Sequence, residues 1–128
     1  MLEITPFYAG LLALLFVALS ARVIRQRIAA NVSIGDGADA SFLQRVRVQA
    51  NCAEYAPFGL LLLAMAELQG MPGWSVHGLG AMLFLGRVSH AVGLGSEPQI
   101  MQARQVGMVL TFVMLVLAAL ANIYLSIL

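Results

Sequence analysis

The chain has 128 residues, of which 61% are hydrophobic and only 10% charged, with a mean hydropathy of +0.90. One domain fits that length, and a water-soluble surface does not fit that composition. A net charge of +1, with no lysine, provides no basic patch for a nucleic acid. A single cysteine, Cys52, forms no internal disulfide, and no Cys/His cluster has metal-ligand spacing, so no metal is expected.

In chain order, four runs qualify or nearly qualify, by length and apolar character, to cross about 30 Å of hydrocarbon as helices, the second being fully apolar only in its later half. They cover about 5–27, 42–69, 74–94 and 104–127. The apolar stretch of the first, about Pro6 to Ala21, is followed, not preceded, by Arg22, Arg25 and Arg27, the reverse of a cleaved signal peptide. The breaks are a Gly/Asp loop "NVSIGDGADA" (31–40), a turn "QGMPG" (69–73) and a Gly/Pro stretch "GLGSEPQ" (93–99). The expectation is one all-α integral membrane domain over 1–128, a bundle running up-down-up-down. All seven arginines flank or approach the first and third loops, which the positive-inside rule places in the cytoplasm with both termini outside. In a bacterium this is the inner membrane. In the third run, Ser89 and Gly93 form a small-xxx-small pair, which serves packing within the chain or between subunits.

The second run opens with unusual polarity, "RVRVQANCAEYAP" (45–57). Steps of four, three and four put Arg47, Asn51, Glu54 and Phe58 on one helical face, with Tyr55 a turn from Asn51. Glu54 lies nine residues past Arg45, about 13 Å deeper along the axis. At such depth a carboxylate faces protein or a watery cavity. It forms either a structural Glu–Arg pair, with Arg87 as partner, or one wall of a site for an anionic or zwitterionic ligand. Arg87 and His90, one turn apart, face that stripe from the third helix, and Arg104 opens the fourth at the same level. Pro57 removes a helical hydrogen bond and is expected to kink the helix and open room beside the polar cluster. Cys52 reads as a buried apolar residue. His77 and Glu67, near the other end, read as interfacial without a chemical role.

The run "RVQANCAEYAPFGLLLL" (47–63) resembles the second-helix motif of the MAPEG superfamily, the membrane-associated proteins in eicosanoid and glutathione metabolism. The likeness extends to its leukotriene C synthases and microsomal glutathione transferases. "GRVSHAVG" (86–93) is similar to the third-helix motif of its prostaglandin E synthases, and "SIGDGADASFLQRVRVQAN" to the loop and helix entry of bacterial members. The resemblance implies a homotrimer binding glutathione, as co-substrate, between subunits on the cytoplasmic side. It implies contacts from Arg47, Asn51, Glu54, Tyr55, Arg87 and His90. Gln49 and a first-helix arginine, Arg27 or else Arg25, are implied to reach the neighbouring subunit's site. Arg104 matches the catalytic arginine across a one-residue gap, and Leu94 stands where several members carry Tyr.

The physical chemistry of glutathione suits that residue set. Guanidinium groups bind its carboxylates, Glu54 binds its ammonium, and an arginine beside its sulfur favours the thiolate. The expected activity is a glutathione-dependent transferase or peroxidase acting on a hydrophobic electrophile that arrives from membrane lipid. The alternative is a non-catalytic lipid- or thiol-binding membrane protein on the same scaffold. A proton-coupled exporter is disfavoured, because 11–21 carries no carboxylate.

Overall fold

A computed structural model describes residues 1–128 as four helices: α1 Thr5–Ala30, α2 Ala40–Leu68, α3 Gly73–Gly95 and α4 Met101–Ser126. Of 99 backbone hydrogen bonds, 86 lie within helices, so each helix satisfies its own backbone as lipid requires. By length and composition α1 and α4 are each apolar enough to cross a membrane. In α2 and α3, of 29 and 23 residues, the interior arginines, Glu54 and His90 break the apolar window.

Local chemistry sets the helix ends. Pro6 sits in the first turn of α1, where its missing N–H is no loss. Asn31 closes α1 in the left-handed conformation, φ 55°, and its N–H returns to the Arg27 and Ile28 carbonyls. The Asp39 carboxylate caps α2 by accepting from Phe42 N at 3.0 Å. Gly70, at φ 90°, turns the chain out of α2.

Contacts at both ends make neighbouring helices antiparallel. The start of α1 meets the end of α2 and the start of α3, through Glu67 and through Tyr8 with His77. The ends of α1 and α3 meet where Arg22 Nη2 donates to the Gly95 carbonyl at 2.8 Å. Near the end of α4, Asn122 donates to the Leu62 carbonyl of α2 at 2.8 Å. The core runs along the axis through Tyr8, Leu12, Leu19, Val48, Leu63, Leu83 and Met114.

The closest helix pair is α3 with α4, along a seam of small residues. A Cβ on Gly86 would lie 3.0 Å from the Gly107 carbonyl, and one on Gly107 would collide with His90 N. A Cβ on Gly93 would collide with the Arg104 backbone. Ser89 Oγ donates to the Ala103 carbonyl at 2.7 Å. The Ser89/Gly93 pair therefore packs within the chain.

Two sequence expectations change. Glu67 and His77 are not idle at the interface. Glu67 Oε1 accepts from Glu3 N and Ile4 N, both at 2.7 Å, and Oε2 from Thr5 N at 2.8 Å. The start of α1 has no side-chain cap of its own, so α2 supplies one. The Tyr8 hydroxyl lies 3.1 Å from His77 Nδ1 and donates to the His77 carbonyl, also at 3.1 Å. Its ring packs where any side chain at Gly80 would clash.

A cationic cavity at one end of the bundle

At the end shared by the α1–α2 and α3–α4 loops, a cavity of about 330 Å³ opens between α2, α3 and α4. From α2 it receives Ala40, Leu43, Gln44, Arg47 and Asn51, which recur at steps of three and four and so share one face. The last turns of α3 contribute His90 and Leu94, and Gln99 and Arg104 complete the wall. Arg104 Nη1 donates to Gln99 Oε1 at 3.2 Å, which ties the side chain to the loop.

Several contacts hold this geometry. Gln44 Nε2 donates to the Leu94 carbonyl and, at 2.8 Å, to the Ser96 carbonyl, while Arg22 takes the Gly95 carbonyl. These side chains satisfy the C-terminal carbonyls of α3. Gly93 admits the first turn of α4, and the Ile100 amide donates to the Gly93 carbonyl at 2.9 Å. Ser41 donates to Glu97 and binds the α3–α4 loop to the start of α2.

The lining has two guanidinium groups and no carboxylate. The uncapped N-terminus of α4 adds partial positive charge at the same end. An anionic group of a small polar molecule is therefore the ligand chemistry this wall attracts.

Behind Asn51 lies Arg87, 1% exposed and outside the cavity lining. Its Nε and Nη2 donate to Thr111 Oγ1 at 3.1 and 2.9 Å, and its Nη1 donates to Asn51 Oδ1. The Tyr55 ring covers it, with 5.2 Å between the guanidinium carbon and the ring centroid.

A profile of the MAPEG family matches residues 5–124. The chain belongs to the MAPEG family. It is also 33% identical over 121 residues to the inner membrane protein YecN of Escherichia coli K12, covering 94% of this chain and 91% of that protein. The same figures hold for YecN of Escherichia coli O6:H1.

Of the residues the MAPEG resemblance singles out, Arg47, Asn51, His90 and Arg104 meet at the cavity. The others lie elsewhere in this single chain. Gln49 turns toward α1, with Nε2 3.4 Å from Ser20 Oγ. Arg27 stacks on Phe42 at 5.1 Å and donates to the Gly35 carbonyl at 2.8 Å, while Arg25 is exposed. Glu54 does not pair with Arg87. It lies 3.7 Å from Arg47 Nη2 on the outer face of α2, the two side chains 54% and 53% exposed. The reason is angular: seven residues return to within about 20° of the same direction, so Arg47 and Glu54 share a line that Arg87 does not face.

The room beside Pro57 is also not the polar site. Pro57 lines a separate apolar groove of about 240 Å³ between α1 and α2, with Leu12, Phe16, Cys52 and Ala56. Gln44 and Gln99 were not singled out from the sequence, although Gln44 stands one turn before Arg47 on the same face. Arg45 donates to Gln26 Oε1 at 2.6 Å and joins α2 to α1.

Proposed function

We propose that this MAPEG-family membrane protein is a glutathione-dependent transferase or peroxidase, working as a homotrimer in the bacterial inner membrane. The observation that carries the reading is the convergence of Arg47, Asn51, His90 and Arg104 on one cavity with no carboxylate in its wall. Glutathione brings two carboxylates, which suit Arg47 and the amide donors of Asn51 and Gln99. Its ammonium is directed to Glu54, which stands beside Arg47 on the outer face of α2.

Arg104 is the catalytic group in this reading. A free thiol is mostly protonated at neutral pH, and a guanidinium beside the sulfur favours the thiolate. With an aryl halide, the thiol proton passes to solvent, the thiolate forms the C–S bond and halide departs. With a lipid hydroperoxide, two glutathiones become the disulfide while the hydroperoxide becomes alcohol and water. The electrophile is hydrophobic and arrives through lipid.

The outer face of α2 supports a neighbouring copy in this reading. A half-exposed ion pair, Arg47 with Glu54, sits within a helix otherwise flanked by exposed Phe58, Leu61 and Met65. Facing lipid, those charges cost a few kcal/mol, and a neighbouring copy removes that cost. Gln49 and Arg27 then serve the neighbour's site. All seven arginines occupy the cavity half of the bundle, whereas exposed Phe7, Trp74 and Tyr124 mark the other end. This asymmetry supports a cytoplasmic cavity with both termini outside. YecN, by its name an inner membrane protein, agrees with that location.

Leu94 in the cavity wall favours a second reading, a non-catalytic lipid- or thiol-binding protein, because no hydroxyl side chain lines the cavity beside the sulfur position. Purified protein assayed with glutathione and an activated aryl halide, then with a lipid hydroperoxide, separates the two. Turnover lost in Arg104→Ala supports the enzyme, and ligand binding without turnover on either electrophile supports the binding protein.

A further inference from the structure

We infer that Arg87 is a positioning residue that decides which end of the Asn51 carboxamide the cavity presents. The oxygen is held inside the bundle, and the amide N–H₂ is left as a donor on the cavity floor. A guanidinium has five N–H donors and no acceptor, so the amide atom it meets must be the oxygen. Arg87 cannot swing away to permit the other orientation, because Thr111 fixes it. The Thr111 hydroxyl gives its own proton to the Gly107 carbonyl at 2.8 Å, which turns its lone pairs toward Arg87 Nε and Nη2. Arg87 Nη2 also lies 3.3 Å from Met108 Sδ, and Nη1 lies 3.4 Å from the Asn51 carbonyl. No carboxylate contacts the guanidinium: its acceptors are Asn51, Thr111 and Met108.

Asn51, by contrast, lines the cavity, and its amide nitrogen donates to no group of the chain. The floor is thus a donor flanked by Arg47 and faced by His90 and Arg104. The ligand atom seated there is an acceptor, a carboxylate or thiolate oxygen or sulfur, and an ammonium is turned away from it. Only the naming of glutathione as the ligand rests on the function proposed above.

A double-mutant cycle on full-length protein in detergent tests this. Without ligand, Asn51→Asp retains or raises the thermal midpoint when Arg87 is present, because the new carboxylate meets a buried cation. In an Arg87→Gln background the same change lowers the midpoint by several degrees, because the carboxylate is left unpaired. Arg87→Met, apolar and of similar length, serves as a second background should the Gln variant not fold. Equal shifts in all backgrounds overturn the inference.

With glutathione, calorimetry is expected to show Asn51→Asp weakening affinity about tenfold or more, as loss of a hydrogen bond to a charged group does. Arg87→Gln is expected to weaken affinity in the native background and to have no effect in Asn51→Ala. Additive losses would show that Arg87 acts independently of Asn51 and overturn it. If the native chain binds no glutathione, the function reading falls while the thermal cycle still decides the role of Arg87.

Discussion

One carboxylate at Glu67 accepts from three successive backbone amides at the start of α1, and that contact joins residues more than sixty positions apart. Glu67→Ala leaves those amides without partners and is expected to cost about 1–2 kcal/mol, as loss of an N-cap does. The check is a lower thermal midpoint and faster hydrogen exchange at residues 3–5, with glutathione affinity unchanged, because the cavity lies at the far end. At Arg104 the expectation is reversed. Arg104→Ala keeps the fold and binding but lowers turnover by about 10²-fold, the usual effect of removing one group that stabilises developing charge. Steady-state kinetics with glutathione varied would show the loss in kcat and little change in KM.

Among the elements, the α3–α4 seam sets the site, since it carries His90 and Leu94 on one side and Arg104 on the other. Gly107→Leu must push His90 and Gly86 away and is expected to cost about 1–3 kcal/mol, the range for overpacking. It also removes Arg104 from its place, so the thermal midpoint and glutathione binding fall together. Gly10→Ala meets nothing within 4 Å and serves as the control, with stability unchanged or raised by about 0.5–1 kcal/mol.

The helices themselves were legible in the sequence, because apolar runs of spanning length and Gly/Pro breaks are local signals, and the observed ends fall within a few residues. The stripe from Arg47 to Asn51 was legible from helical period. That Arg87 and His90 face this stripe was legible too, but the individual partners across helices were not. Charge alone pointed Arg87 at Glu54, but the rotation of α2 turns Glu54 outward and brings Asn51 inward. Thr111 and Glu67 gave no local signal, since their partners lie on other helices.

At the scale of the whole molecule, a chain belonging to the MAPEG family buries Arg87, a cation with no carboxylate partner, and leaves an ion pair half exposed on an outer face. In the proposed function a neighbouring copy within a homotrimer covers that face. Sedimentation of detergent-solubilised protein checks it: the protein mass should correspond to three chains of 13.7 kDa, and Glu54→Arg, placing like charges together, should shift it toward one. The central claim, that the cationic cavity is a glutathione site, is tested most directly by calorimetric titration of glutathione into the folded native protein in detergent, alongside Arg47→Ala. The account predicts saturable binding at millimolar concentration or below, weakened about tenfold or more by Arg47→Ala, as loss of a charge-assisted hydrogen bond requires. Absence of binding to folded protein, or binding that Arg47→Ala leaves unchanged, would contradict it.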